Sequence, residues 1–369
     1  MLIKNSTCIF GAMFGAMRST SFGALLTLFA CAIKEIRAPF AGCLMGLLAA
    51  CSNVSPTSPS PTAPSPGTIA LARDAAAIKP QLKQPATLEF LRGADTLTPQ
   101  FSRVVYTDTK ARRSISPAQY EALKGDERAA FAATTYDENF YFATYYGSPL
   151  AYARAVEIAA ASGIASLNNT RILDIGYGAI GGPRMLAGAG AQVSAIDVDS
   201  LLSVLYRETS DQGSINGFDG RKGSLALFDG VFAGNTTLTR SIGKDYNLII
   251  TKNTMKRGFM KPESEKKALV SFDASDEVLL DTIYDTLAPG GVFLIYNITG
   301  ALNPAKPSTD GRSPFTAEQF TKANLKVLAI DTNDDSAVRA MGKALGWDKQ
   351  MGDLDQNLFA LYTVVQRPK

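Results

Sequence analysis

From Arg171 to the C-terminus, short apolar runs alternate with stretches of helical period. Strands are expected at Arg171 to Ile175, Gln192 to Ile196, Ser224 to Phe228, Tyr246 to Thr251, Gly291 to Ile298, Leu325 to Asp331 and Leu358 to Val365. Helices are expected near Pro183 to Ala189, Ser200 to Thr209, Ser275 to Leu287, Thr316 to Ala323 and Ser336 to Leu345. Such alternation marks a parallel sheet with crossover helices. The pattern predicts an α/β fold of seven strands, with no internal repeat.

Upstream the signal weakens. Tyr136 to Gly163 opens aromatic and turns helical, with Leu150, Ala153, Val156 and Ile158 at near-helical spacing. Between residues 68 and 135, Pro85 to Arg92 and Pro117 to Ala133 read as short helices. Each opens with Pro, which suits the first helical position, and Ser116 suits the N-cap of the second. Gly93 should stop the first, and Gly125 interrupts the second. Arg103 to Thr107 reads as a strand.

Residues 1 to 50 hold two apolar runs, about Phe22 to Ile33 and Ala38 to Ala50, separated by Lys34, Glu35 and Arg37. Neither reaches the roughly 18 to 20 residues that span a bilayer as a helix. Charge, a short apolar run and then small residues form the pattern of a secretory signal peptide. Leu48-Ala49-Ala50-Cys51 resembles the lipobox of bacterial lipoproteins. That resemblance implies lipidation of Cys51, which becomes the mature N-terminus. The Pro-, Ser- and Thr-rich stretch to Gly67 reads as an extended tether holding a folded body off a membrane. Ser52, not Asp, implies by the same resemblance an outer-membrane lipoprotein facing the periplasm. Two apolar runs in series leave a second reading open, a misassigned start codon and a cytoplasmic protein. The expected domains are a signal peptide at 1–50, a tether at 51–67, an N-terminal extension at 68–135 and a main domain at 136–369.

Composition narrows the chemistry. Hydrophobic residues make up 46% and charged residues 19%, which suits a packed core and excludes general disorder. The net charge of +3 resides in the leader, in Lys4, Arg18, Lys34 and Arg37 against Glu35, so the body is neutral. No nucleic-acid partner is expected from bulk charge. The chain has no histidine, and its cysteines are Cys8, Cys31, Cys43 and Cys51. Ser-His-Asp and Cys-His catalysis are excluded, as are His-ligated metals and a Cys-ligated zinc in the body. No cluster of spaced carboxylates suggests a metal, so metal independence is expected. Asp, Glu, Lys, Tyr, Ser, Thr, the backbone or a cofactor must carry any reaction.

The most informative stretch is Arg171-Ile172-Leu173-Asp174-Ile175-Gly176-Tyr177-Gly178-Ala179-Ile180-Gly181-Gly182-Pro183. A buried strand runs into a glycine-rich turn, and Pro183 suits a helix start. Such glycines let backbone N–H groups approach a ligand at a helix N-terminus. Asp197 closes the next strand and is placed to hold the ribose hydroxyls of a nucleoside cofactor. Two cofactors compete, a nicotinamide or flavin dinucleotide and S-adenosylmethionine.

Asp174, two residues before Gly176, gives an Asp-x-Gly-x-Gly form that resembles motif I of the class I S-adenosylmethionine-dependent methyltransferases. Gly190-Ala191, Ile196-Asp197-Val198-Asp199, Asp245 to Thr251 and Leu287-Ala288-Pro289-Gly290-Gly291 resemble later segments of that family. The last would turn a helix into a strand. The chain departs from the family in placing glycines at 181 and 182 rather than at Ile180, in a glycine-rich insertion from Asp211 to Gly223, and in Thr251-Lys252-Asn253-Thr254 where base and amide methylases carry a Pro-Pro-Tyr type motif.

The resemblance, over residues 136 to 369, implies a Rossmann-like, mostly parallel sheet with helices on both faces, preceded by a helical extension. It implies Gly176 and Gly178 as cofactor-cradling glycines, Asp174 on the loop or the methionine amine, Asp197 on the ribose and Asp229 on the adenine amino group. Lys252 and Asn253 become catalytic candidates at the acceptor side, with Thr254 beside them. Lys256 and Arg257 form a basic turn that could hold an acidic substrate or merely face solvent. Tyr141, Tyr145 and Tyr146 are candidates to cap the cofactor or line an acceptor pocket. The implied activity is methyl transfer to a small or polar acceptor by in-line displacement. The alternative is a membrane-tethered lipoprotein that keeps the fold without turnover.

Overall fold

The computed structural model describes residues 63–262 and 267–369. The signal peptide, the lipobox and Cys51 lie outside them, as does the tether up to Thr62. The first helix among the described residues, α1 (Pro66–Ile78), begins inside the stretch read as tether. Ser65 caps it with a reciprocal capping box to Thr68, and Pro66 occupies its first turn. The extension continues with α2 (Pro85–Arg92), which ends at Gly93.

A three-stranded antiparallel sheet follows, with β1 (Arg103–Asp108) between β2 (Arg113–Ile115) and β3 (Ala132–Tyr136). The extension is therefore not only helical. The expected helix from Pro117 to Ala133 is cut into α3 (Pro117–Ala122) and α4 (Gly125–Arg128). Gly125, at φ +34°, breaks it, and its last residues pair with β1 as β3. Two short helices, α5 (Glu138–Ala143) and α6 (Ala153–Ala161), then precede the main sheet.

The main sheet is built from β4 (Arg171–Ile175), β5 (Gln192–Asp197), β6 (Gly213–Asn216), β7 (Lys222–Asp229), β8 (Tyr246–Lys252), β9 (Leu287–Thr299), β10 (Lys326–Asn333) and β11 (Phe359–Gln366). Its order is β10-β11-β9-β8-β4-β5-β7-β6. Strands β7, β5, β4, β8 and β9 are mutually parallel, β11 runs antiparallel between β9 and β10, and β6 is antiparallel at the far edge. All seven expected strands are present. The eighth, β6, comes from the segment read as an insertion. It buries only Ile215, so it has no apolar run to announce it.

The core lies on both faces of this sheet, because adjacent residues of each strand point to opposite sides. Ile172, Leu248, Val292 and Leu294 face α2, α6, α7 (Gly181–Gly188) and α13 (Asp335–Ala344). Leu173, Ile249, Phe293 and Ile295 face α9 (Thr236–Ile242), α11 (Asp276–Thr286) and α12 (Ala317–Lys322). Helix α8 (Ser200–Leu205) is capped by Asp199, and α10 (Arg257–Met260), α14 (Asp348–Met351) and α15 (Leu354–Asn357) are single turns. Strands buried on both faces read as unbroken apolar runs, which is why they stand out in the sequence. Pro289-Gly290-Gly291 lies within β9, at the register shift between its pairings at Leu287 and Val292, and not in a separate turn.

Candidate functional site

The chain runs from β4 outward to β5 and β7, then returns across β4 to β8 and β9. The order reverses between β4 and β8. In doubly wound sheets the crevice beyond the carboxyl ends at that point is where ligands bind. Here a cleft opens there. Its floor is the β4 turn at Gly176 to Gly178, with Asp197 to Asp199 on one side and Lys252 to Thr254 on the other.

The turn is shaped by two glycines at positive φ, Gly176 at +78° and Gly178 at +61°. A Cβ on Gly176 would sit 2.0 Å from Thr254 Oγ1, and one on Gly178 would sit 2.6 Å from the Tyr146 ring. Gly176 N–H donates to Ile196 O, and Gly178 N–H donates to Asp197 Oδ2 at 3.0 Å. Asp197 Oδ1 accepts from Val198 and Asp199 N–H at 2.7 and 3.0 Å. Asp197 Oδ2 thus accepts one of the two hydrogen bonds it can take. Desolvation pushes the Asp197 carboxyl up to about 6, the nearby Asp199 adds to the rise, and the three N–H donors oppose it.

Gly181 and Gly182 open α7, two residues before the expected Pro183. They make room for the chain itself. A Cβ on Gly181 would lie 2.4 Å from Phe142 O, and one on Gly182 would lie 3.0 Å from the Tyr152 ring. The helix N-terminus that a dinucleotide's pyrophosphate would need is thus closed by the segment ahead of α6.

The structure places the other sequence candidates unevenly. Asp174 is fully buried behind the cleft. Its Oδ2 accepts from Tyr152 Oη at 2.8 Å, and its Oδ1 has no hydrogen-bond partner among the described residues. Burial raises its carboxyl to about 7, against the Tyr152 hydroxyl and the positive charge of Lys252, with Asp197 adding to the rise. Asp229 ends β7 opposite Asp197 but is exposed and outside the cleft wall, while Gly230, Val231 and Phe232 after it line the wall. Lys252 lines the cleft and is lowered to about 8 by burial, with Asp174 opposing the fall. Asn253, at φ +64°, ties β8 to β9 by accepting from Ile298 N–H through Oδ1 at 2.7 Å.

Three candidates lie outside the cleft lining. Tyr141 is buried, donates to Asp211 Oδ1 at 2.7 Å and does not reach the cleft. Asp211 is also bidentate with Arg103, so Tyr141 belongs to a buried ion-pair cluster joining β1 to the main domain. Tyr145 is exposed, with its hydroxyl 3.2 Å from that of Tyr136, and does not line the cleft. Arg257 lies outside the cleft with its Nε 3.9 Å from Asp310 Oδ2. The neighbouring Lys256 is no solvated turn. It is fully buried, donating to Ile298 O at 2.7 Å, and burial lowers it to about 7 with Lys252 adding to the fall.

Of the three tyrosines only Tyr146 lines the cleft. Thr144, a β-branched residue at φ +49°, holds it there. Thr144 Oγ1 donates to Gly178 O at 2.8 Å, and Tyr146 Oη donates to Asp199 Oδ2 at 3.3 Å. Sequence reasoning missed Tyr152, whose helical aromatic pattern reads as core. It also missed the strap of Leu269, Val270 and Phe272 that walls the cleft and is pinned by Leu269 N–H to Phe259 O at 2.7 Å.

Two expected results follow from this arrangement. Tyr141→Phe should lower stability by about 1.5–3 kcal/mol, the range for a hydrogen bond to a charged group, because Asp211 stays buried. Ligand affinity should not change, as urea unfolding beside a ligand titration would read. The second concerns pH. Between about pH 7 and 10 the unfolded chain holds more protons than the native one at Lys252 and Lys256, so stability rises with pH there. Asp174 and Asp197, raised in the native state, contribute stability below about pH 4 that is lost as pH climbs through about 6 and 7. Urea midpoints should therefore be lower at about pH 7.5 than at about 5.5 or 9.5, and Lys256→Met should flatten the alkaline rise.

No protein-family profile and no curated protein matches the chain. Among solved structures it is similar to phosphoethanolamine N-methyltransferase 2 from Haemonchus contortus in complex with S-adenosyl-L-methionine, at 15% identity and a TM-score of 0.34, over 65% of this chain and 63% of that one. It is also similar to the N-methyltransferase NodS from Bradyrhizobium japonicum WM9 in complex with S-adenosyl-L-homocysteine, at 12% identity and a TM-score of 0.35, over 59% and 86%. The cyclase SpnF is similar at 15% identity and a TM-score of 0.34, over 58% and 80%. At that distance none of these likenesses bears on activity. The fold and cleft define a doubly wound α/β protein with a crevice at its switch point.

Proposed function

We propose that the cleft binds S-adenosylmethionine and that the chain transfers its methyl group to a small acceptor. The observation that carries this reading is the convergence of Gly176, Gly178 and Asp197 with Lys252, Asn253 and Thr254 at the switch point. Asp197 Oδ2 would accept from a ribose hydroxyl, and Val231 and Phe232 would flank the adenine. Asp229, beside them, would bind the adenine amino group only if its side chain turned inward. Bound there, S-adenosylmethionine supplies an electrophilic methyl on a positive sulfur. The protein supplies orientation and exclusion of water. Lys252 and Asn253 stand at the acceptor side, and Phe259, Leu269 and Phe272 give the acceptor or the cofactor an apolar wall.

Incubating the full chain with methyl-labelled S-adenosylmethionine and a panel of amines, phenols and carboxylates tests transfer. Label should move to one class and should not move with Lys252→Met. No transfer to any class, with the cofactor bound, favours the second reading, a lipoprotein that keeps the fold without turnover. That reading has its own support, since Tyr146 packs over Gly178 and Phe142 closes the start of α7. A lipid anchor at Cys51 and an outer-membrane address are also proposed, from the lipobox and tether. Palmitate labelling that persists in Cys51→Ala would sink the anchor.

A further inference from the structure

Asp174, Tyr152 and Lys252 come from three separate elements and meet behind the cleft. Tyr152 Oη donates to Asp174 Oδ2 at 2.8 Å, and Lys252 Nζ lies 5.1 Å from the centre of the Tyr152 ring. The ring is held in place against Gly182. Only Lys252 of the three lines the cleft. Asp174 is buried and is not among the residues that line it. Among the described residues Asp174 Oδ1 has no hydrogen-bond partner.

We infer that Asp174 and Tyr152 are positioning residues for Lys252, and that the Lys252 amine takes the proton from an acceptor that has one to lose, an ammonium or a phenol-class hydroxyl. The inference rests on the reading of the cleft as a methyl-transfer site. The acceptor's proton passes to Lys252 Nζ. The electron pair of that N–H or O–H bond forms the new bond to the methyl carbon. The carbon–sulfur pair of the sulfonium donor leaves with the sulfur. In a chain without histidine, a cleft lysine lowered to about 8 by burial is a group able to take a proton near physiological pH.

The charges around the amine are few. Asp174 on β4 favours its protonated form, and burial disfavours it. Lys256, ahead of α10, is coupled to Lys252 by like-charge repulsion, and Asp197 at the end of β5 raises Asp174. Tyr152, raised well above the usual phenol range by burial and by Asp174, stays a neutral donor. Removing the Asp174 carboxylate should therefore lower the Lys252 amine further.

Trace acetylation of the full chain with acetic anhydride, without cofactor, reads this directly. The Lys252 peptide is quantified by mass spectrometry across pH. The wild-type midpoint should fall near 8. In Asp174→Asn it should drop measurably, because the Asp174 charge opposes the fall that burial causes. Tyr152→Phe, which keeps the ring and loses only the donor to Asp174, should shift it the same way by less. An unchanged midpoint in Asp174→Asn, or a wild-type midpoint near that of a free lysine, overturns the inference. If Asp174→Asn does not fold, an unchanged midpoint in Tyr152→Phe overturns it. Failure of the wild type to bind S-adenosylmethionine would sink the methyl-transfer reading and leave the labelling result standing.

Discussion

Asp197→Asn should weaken binding of S-adenosylmethionine by about 100-fold or more while the fold survives. The carboxylate already accepts three backbone N–H groups, only one of them on Oδ2, which can take a second hydrogen bond from a ribose hydroxyl. A hydrogen bond to a charged acceptor contributes about 1.5–3 kcal/mol, and a ribose offers two hydroxyls. Asparagine removes the charge. It also places an NH₂ opposite Gly178 N–H, or else opposite Val198 and Asp199 N–H, so a donor faces a donor whichever way the amide turns. Calorimetric titration at matched circular dichroism checks this. Equal affinity in the two proteins would remove the ribose role of Asp197.

The largest expected effect on stability is at the turn itself. Gly176→Ala should cost about 2–5 kcal/mol. An alanine at φ +78° costs about 1–2 kcal/mol by sterics alone. Its Cβ would also fall 2.0 Å from Thr254 Oγ1, and overpacking a tight site adds about 1–3 kcal/mol. Thr254 cannot swing away freely, because its hydroxyl donates back to Gly176 O at 3.3 Å. Gly178→Ala meets a different neighbour, the half-buried Tyr146 ring, which can move outward. That variant should lose less stability and should disturb the cleft more. Urea unfolding of the two side by side separates the outcomes. A Gly176→Ala protein as stable as wild type would contradict the packing of β8 against the β4 turn.

The sequence was legible where burial was two-sided. Strands β4, β8 and β9 announce themselves because both faces are packed, and Asp174, Gly176 and Asp197 stand out because turn chemistry punctuates those runs. Where burial is slight, the signal vanishes. Strand β6 buries Ile215 alone, and β3 exposes Ala132 to Thr135. Helix α1 was hidden by its composition, since Pro66 and Ser65 read as tether but serve as first turn and cap. The site was half legible for a related reason. Tyr141 and Tyr146 share one aromatic stretch, and only the strained Thr144 and the bond from Tyr141 to Asp211 decide which enters the core and which faces the cleft. Long-range partners of that kind leave no local pattern. The same holds for Tyr152 and Asp174, 22 residues apart and joined only in the fold.

The central claim is that this cleft is a nucleoside-cofactor site, and calorimetric titration of S-adenosylmethionine and S-adenosylhomocysteine into the unmodified full chain tests it most directly. One-to-one binding in the micromolar range, competed by adenosine and not by a nicotinamide dinucleotide, is the predicted result. No heat from either ligand in a folded sample would contradict the account.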